Sequence, residues 1–259
     1  MEYVNLACEL RAAVFTITLN RPEVLNALNH QMADELRHAL AQANRDEAVR
    51  CVLLTGAGRA FCSGQDVREF ESADLSLGNL VRTRYIPLLR QLLALEKPVI
   101  AAIHGVAAGA GLSLALACDL RVASEDSTFV LAFSQVGLVP DCGATYLLPR
   151  VVGLARAFQL CYSAEPVPAS EALQLGLVNW VVPSPELTSR AWQLARQLAT
   201  GPTRAYGLAK RALLRNLNTH FADALEYEAM LQEAAGRTHD HREGVRAFRE
   251  RRRPQFEGR

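Results

Sequence analysis

Only two of the 259 residues are lysine, Lys97 and Lys210, so the basic side chains are almost all arginine. The 28 basic residues are balanced by 27 acidic ones, and the net charge of +1 leaves no excess of either sign. No long-range attraction for nucleic acid or an anionic membrane follows from that balance. The six cysteines stand far apart, mostly in apolar runs, with no C-x-x-C pair and no Cys/His cluster. A zinc site and a redox dithiol are therefore not indicated, and buried free thiols in a reducing compartment are expected. "MEYVNLACEL" lacks a basic segment followed by a long apolar core, so it does not read as a signal peptide. The longest apolar-leaning run, "KPVIAAIHGVAAGAGLSLALACDL", is interrupted by His104 and several glycines and ends near Asp119. It reads as strand, turn and helix rather than as a membrane span. The expectation is a cytoplasmic protein that binds neither membrane nor nucleic acid.

What is present is an alternation of periods. "NLACEL" and "AVFTITLN" are β-rich and read as a hairpin or adjacent strands. From about Asn29 the spacing turns helical, with Leu36, Ala39 and Leu40 on one face. "VRCVLLTGAG" and "KPVIAAIHG" read as buried strands, "AGAGLSLALACD" as a short buried helix, and "LRVASEDSTFVLA" as a return to strand. "LGNLVRTRYIPLLRQLLAL" is amphipathic helix, expected to bend at Pro87, which lacks a backbone donor. After Gly137 helices follow one another, interrupted by the strand-like "LVNWVV"; Gly176 gives a C-cap signal. We divide the chain into an α/β core, residues 1–200, and a helical C-terminal region, residues 201–259. The basic end "EGVRAFRERRRPQFEGR" is either a solvated terminus or, facing a phosphate-rich ligand, a set of anion-binding arginines.

Three places carry possible chemistry. In "VLLTGAGRAFCSG" a strand runs into Gly56 and Gly58, but Phe61 occupies the third glycine position of a dinucleotide-binding turn, which excludes that reading. The loop left over can expose main-chain N–H groups around Ser63, Gly64, Gln65 and Asp66, or be an ordinary turn. In "HGVAAGAGLSLALACD" the small residues from Ala107 to Gly111 permit close approach to the backbone, and the helix that starts there presents unpaired N–H groups and the positive end of its dipole. Tight helix–strand packing explains the same residues. Brought together, the N–H groups of Gln65 and Ala110 would form an oxyanion hole. The third place is Asp141, a lone acid in the Gly- and Pro-rich "GLVPDCGATYLLPR". It is a helix cap, a paired structural charge or a proton carrier.

Taken together and in this order, "LNRPEVLNAL", "GAGRAFCSGQDV", "KPVIAAIHGVAAGAGLSLALACDLRVA" and "GLVPDCGATYLLPRVVGLARA" resemble the successive signatures of the crotonase (enoyl-CoA hydratase/isomerase) superfamily. The resemblance runs from about Val14 to the C-terminal "REGVRAFRERRRPQF". It implies an α/β fold, a ClpP/crotonase-like spiral of ββα units with a C-terminal helical trimerisation region, assembled as a trimer or as a hexamer of two trimers. It implies acyl-CoA thioester substrates, coenzyme A being part of the substrate, and no metal or redox cofactor. By position it assigns Gln65 and Ala110 as the oxyanion donors. It places Val24, Leu25, Ala27, Ser63, Gly64, Asp66, Val67 and Gly109 at the CoA and substrate site, and we expect Phe133 and Tyr146 to line the acyl pocket.

Departures from the family pattern refine this. Hydratases of the superfamily resemble one another in two water-handling glutamates; this chain has Ser113 and Phe133 at those positions. Addition of water needs both activation of the water and delivery of a proton to carbon, so hydration is not expected. At Asp141 the chain resembles isomerases instead. A single carboxylate suffices for an allylic shift, taking a proton at one carbon and returning it at another. Apolar neighbours (Phe133, Leu138, Val139) should raise its pKa. "AFSQVGLVPDCGATYLLPR" and "GPTRAYGLAKRAL" are most similar to superfamily isomerases acting on enoyl- and ring-epoxy-acyl-CoA, which move a cis-3 double bond to trans-2 or convert ring-1,2-epoxyphenylacetyl-CoA to oxepin-CoA. An enoyl-CoA hydratase with unorthodox acids and a non-catalytic acyl-CoA-binding scaffold are the alternatives. His104 is expected to be a hydrogen-bonded structural residue. Glu69 and Glu71 could approach the acyl end of the pocket.

Overall fold

The computed structural model describes residues 3–71 and 76–259, with the side chains of Phe70 and Glu71 outside the described set. The expected hairpin forms from β1 (Leu6–Arg11) and β2 (Val14–Leu19), antiparallel, with Ala12 and Ala13 at the turn in the left-handed region. α1 (His30–Arg45) follows. Asn29 caps it by accepting the Met32 N–H at 2.8 Å, which sets the start of helical spacing where the sequence places it.

From here the chain spirals. β3 (Cys51–Gly56) and the bridge Cys62↔Ala107 make the first turn, closed by α2 (Leu77–Leu80), a π-helical turn (Val81–Tyr85) and α3 (Ile86–Ala94). β4 (Val99–Ile103), β5 (Val106–Ala108) and α4 (Ala110–Leu116) make the second, and β6 (Leu120–Ser124), β7 (Thr128–Val130) and α5 (Ala144–Val152) the third. α6 (Leu154–Ser163), β8 (Val167–Pro168), α7 (Ala169–Gln174), β9 (Trp180–Val182) and α8 (Leu187–Ala199) complete the layers. One sheet runs β1-β2-β3-β4-β6-β9, and a second, smaller one runs β5-β7-β8. The pairs β4/β5, β6/β7 and β8/β9 each send one strand to each sheet, while both strands of the opening hairpin stay in the larger one. This is the ββα spiral that the resemblance implies.

The strand alternation explains the two-sided core. In β3, Val52 and Leu54 face the main core with Ile17, Leu36, Leu88 and Leu92. Cys51 and Leu53 face the other side, where α8 covers the sheet with Leu187, Ala191 and Leu194.

The bend expected at Pro87 is carried instead by the π turn just before it. Ile86 N–H reaches back to the Val81 carbonyl, and the wider turn makes room for a proline ring that an unbroken α-helix would set against the carbonyl four residues earlier.

After residue 200 come α9 (Thr203–Asn216), α10 (Phe221–Gly236) and α11 (His239–Arg249). The terminal segment is mostly exposed, yet it is tied to the fold at defined points. Asp240, on α11, accepts the N–H groups of Glu257 and Gly258 at 2.7 and 2.8 Å, and Glu243 accepts Gln255 N–H at 2.9 Å and pairs with Arg252 at 2.6 Å. Arg50 donates to the Phe256 carbonyl at 2.9 Å. Two carboxylates three apart share one face of α11, and that face staples the tail down. Among the described residues no helix is long and apolar enough to cross a membrane.

Candidate active site

Two loops approach each other because glycine allows it. Gly64 has φ +102, and a Cβ there would stand 2.9 Å from the Ala108 carbonyl oxygen. Gly109 has φ +48 immediately before α4, and its N–H donates to the Val130 carbonyl at 2.8 Å. Between Leu28 and the 63–66 loop, Leu28 N–H donates to Gly64 O at 2.7 Å and Asp66 N–H to Leu28 O at 2.9 Å. By strand alternation the intervening Gln65 N–H turns away from that pairing. Gln65 and Ala110 line one cavity, and Ala110 opens α4, where first-turn donors lack intrahelical acceptors.

The cavity holds about 380 Å³ and is lined by Ser63, Gly64, Gln65, Val67, Leu77, Gly78, Leu80, Val81, Tyr85, Gly109, Ala110, Ala132, Phe133, Val136, Leu138, Val139 and Asp141. Asp141 is the one carboxylate among them. Its place is set through the main chain: its carbonyl accepts Ala144 N–H at 2.9 Å and Ser113 Oγ–H at 3.2 Å. The carboxylate does not cap α5; Gly143 occupies the N-cap position, with no side-chain cap bond. Nor is it in an ion pair among the described residues; its Oδ1 is buried without a hydrogen-bond partner. Desolvation raises its pKa, with the Cys142 thiol and its own backbone pulling more weakly the other way. Of the three readings open for Asp141, cap and paired charge are not what its side chain does. What remains is a half-buried acid lining an apolar cavity together with Gln65 and Ala110.

The other expected site residues divide. Ser63, Gly64, Val67, Gly109 and Phe133 line the cavity with Gln65, Ala110 and Asp141. Val24, Leu25 and Ala27 do not line it. Two of their carbonyls brace the loop that does, Val24 O accepting Ser63 Oγ–H at 3.2 Å and Leu25 O accepting Ser63 N–H at 2.9 Å, while Ala27 O accepts Arg21 Nη1–H at 2.6 Å. Asp66 is also outside the cavity wall, buried between Arg68 at 2.6 Å and Arg21 at 2.9 Å. Hydrogen bonds from Arg68, then Arg21, hold its pKa well below the ordinary carboxylate range. It is a bracket for the loop, not a ligand-facing acid. Tyr146 is a correction as well. The buried face of α5 is Ala144, Leu147 and Leu148, which turns Tyr146 outward. Its hydroxyl accepts from Asn218 at 2.6 Å and its ring lies under Arg150.

His104 behaves as expected, its Nε2 lying 3.1 Å from the Gly58 carbonyl and away from the cavity. Four of the six free thiols are buried, Cys8 and Cys161 being half-buried. Glu69 sits beside the cavity but is engaged, accepting His30 N–H at 3.0 Å and Gln65 Nε2–H at 2.6 Å and pairing with Arg84. The expectation for the Glu71 side chain falls outside the described residues, as does any description of the 72–75 part of its loop.

Sequence reasoning missed Tyr85. It is 3 % exposed, lines the cavity, and donates its hydroxyl to Gln65 Oε1. Burial is the main reason its pKa rises, with the charges of Cys142 and Asp141 adding to it. A polar-tipped aromatic among the leucines of an amphipathic helix was the available signal.

The spiral fold carries one apolar cavity lined by the Gly64 and Gly109 turns and by a lone acid. The chain belongs to the enoyl-CoA hydratase/isomerase family, whose model matches residues 9–259. It is 46 % identical over 264 residues to the 1,2-epoxyphenylacetyl-CoA isomerase of Escherichia coli K12, covering 100 % of this chain and 99 % of that one. It is 44 % identical, over the whole of both chains, to a Rhodobacter capsulatus protein named as a probable enoyl-CoA hydratase. The enoyl-CoA hydratase structure of Bacillus anthracis superposes with a TM-score of 0.92 at 35 % identity, covering 99 % of this chain and 100 % of that one.

Proposed function

We propose that the protein is an acyl-CoA isomerase in which Asp141 moves the proton and the N–H groups of Gln65 and Ala110 hold the thioester oxygen. The observation that carries this reading is Asp141 itself, the one carboxylate lining the cavity that Gln65 and Ala110 also line, outside any ion pair among the described residues and with its pKa raised by burial. For a cis-3-enoyl thioester, Asp141 takes a proton from the carbon next to the carbonyl. The electron pair moves onto the carbonyl oxygen as a dienolate, the amides stabilise that charge, and the same proton returns at the fourth carbon. Each amide donor supplies roughly 2.7–4 kcal/mol of that stabilisation. A ring epoxide and its oxepin are valence isomers. There the side-chain methylene proton passes through Asp141 to a ring carbon. Neither route consumes an electron acceptor or needs a Lewis acid.

Support for the ring substrate comes from Phe133 and Tyr85 in the cavity wall and from the activity named for the Escherichia coli relative. Hydration, the activity named for other relatives, needs a second proton-handling group. Phe133 and the fully buried Ser113 supply none at the two positions concerned. Val24 and Leu25 brace the Ser63–Gln65 edge where the CoA chain would enter. We assign the assembly as a homotrimer or a pair of trimers in the cytoplasm. Exposed apolar side chains on the last helices (Leu213, Phe221, Met230, Phe248) support subunit contacts there.

The test is solvent-deuterium exchange into enoyl- and ring-epoxy-acyl-CoA, with wild type and Asp141→Asn side by side. Exchange and isomerisation should fall roughly 10²–10⁴-fold in the variant while CoA affinity persists. Water addition to crotonyl-CoA that survives Asp141→Asn would replace this reading with a hydratase. Thioester binding with no turnover by the wild type would replace it with a scaffold.

A further inference from the structure

Gln65 contributes its main chain to the proposed oxyanion hole, yet every polar atom of its side chain is engaged as well. Its Oε1 accepts the Tyr85 hydroxyl and, at 3.5 Å, Arg84 Nη1–H. Its Nε2 donates to Glu69 Oε2 at 2.6 Å and to the Asp66 carbonyl at 3.4 Å. Arg84, whose side chain is 9 % exposed, also binds Glu69 Oε2, and Glu69 Oε1 ties the group to the first N–H of α1 at 3.0 Å. Arg84 and Tyr85 are adjacent in sequence, and adjacent residues of a regular α-helix do not share a face. The π turn Val81–Tyr85 is what turns both toward one glutamine.

The donor N–H needs such a hold. On its N-terminal side stands Gly64, whose φ of +102 reflects a residue with little torsional preference of its own. The Leu28 contact to Gly64 O holds the peptide plane on one side; the side-chain cluster anchors the other. We propose that Tyr85, Glu69 and Arg84 are positioning residues that hold Gln65 by its side chain, so that its main-chain N–H is aimed at the thioester oxygen. This rests on the oxyanion-hole assignment. Charge on that oxygen is larger in the transition state than in bound substrate, so loosening the clamp lowers kcat more than it raises KM.

The experiment compares wild type, Tyr85→Phe, Gln65→Leu and the double variant in steady-state turnover. In parallel, infrared spectra record the carbonyl stretch of bound phenylacetyl-CoA, a thioester that cannot isomerise. Gln65→Leu keeps the main-chain donor and removes only the handle. In wild type the bound carbonyl should absorb below its frequency in water. Each single variant should lose part of that downshift and about tenfold in kcat, with KM within about twofold. Tyr85→Phe placed on Gln65→Leu should add nothing, because the handle is already gone. If either variant fails to fold, as judged by its melting temperature, Glu69→Gln is read by the same two measurements. An unshifted carbonyl frequency with unchanged kcat, a change confined to KM, or an equal loss from Tyr85→Phe in both backgrounds would overturn the clamp; the last would mean that the phenol acts on the substrate itself. Absence of any downshift in wild type would instead count against the oxyanion hole.

Discussion

Ser113, fully buried on α4, donates its hydroxyl to the main-chain carbonyl of Asp141 across 3.2 Å. The position at which the sequence departs from the hydratase pattern thus seats the main chain of Asp141, the acid of the proposed isomerase. Gly109 O lies 3.1 Å from the same Oγ, so the one hydroxyl proton is shared between the start of α4 and the loop before α5.

Ser113→Ala should therefore cost about 1 kcal/mol of stability, the usual net worth of a buried hydrogen bond. It should lower kcat several-fold with little change in KM, since Asp141 is loosened but not removed. Chemical denaturation and steady-state kinetics on one preparation check both. A glutamate at 113 would bury a charge without a partner, and far greater destabilisation is expected.

Asp141→Asn should have opposite effects on activity and stability. A raised pKa in the folded state means that ionisation of Asp141 weakens the fold. Its stability contribution is full below the unfolded carboxylate value of about 3.9 and is lost as pH rises through the folded value. The asparagine variant should thus melt close to wild type at pH 3 and above it at pH 7. Wild-type kcat/KM should show an acid limb with its midpoint above the ordinary carboxylate value, and melting curves and a pH–rate profile check the two signs.

Asp66 has the reverse sign. Its lowered pKa gives stability that is present above the unfolded value and lost as pH falls toward the folded one. Its two arginines should not count equally. Arg68 is 59 % exposed, so Arg68→Ala should cost under about 1 kcal/mol. Arg21 is 12 % exposed and also holds the Ala27 carbonyl, so Arg21→Ala, leaving Asp66 buried, should cost roughly 3 kcal/mol. Urea titrations at pH 7 and pH 4 would rank the pair, and the Arg21 effect should shrink at the lower pH.

Much of the site was legible because it depends on local chemistry. Asn29 announced the start of α1, and the small residues from Ala107 to Gly111 announced a close backbone approach. Asp141 stood out as an acid with no reason to be in an apolar turn. Tyr85 did not stand out, because its role comes from a π turn that periodicity reads as ordinary helix. Tyr146 misled because the rotational phase of α5 depends on which face packs, and Ala144, Leu147 and Leu148 decide that. Asp240 and Glu243 were invisible as staples because their partners are main-chain N–H groups of a tail whose path no pattern gives.

Alone, the order of residues determined the alternation of strands and helices and the family signatures, and it singled out Asp141 and the two glycine turns, since these follow from side-chain type and short-range spacing. Tertiary structure decided which groups share one cavity, that Asp141 keeps an oxygen without a partner, and that Asp66 and Tyr146 face elsewhere. Those outcomes turn on contacts between segments far apart in the chain, where burial and the loss of water set each group's charge and partners.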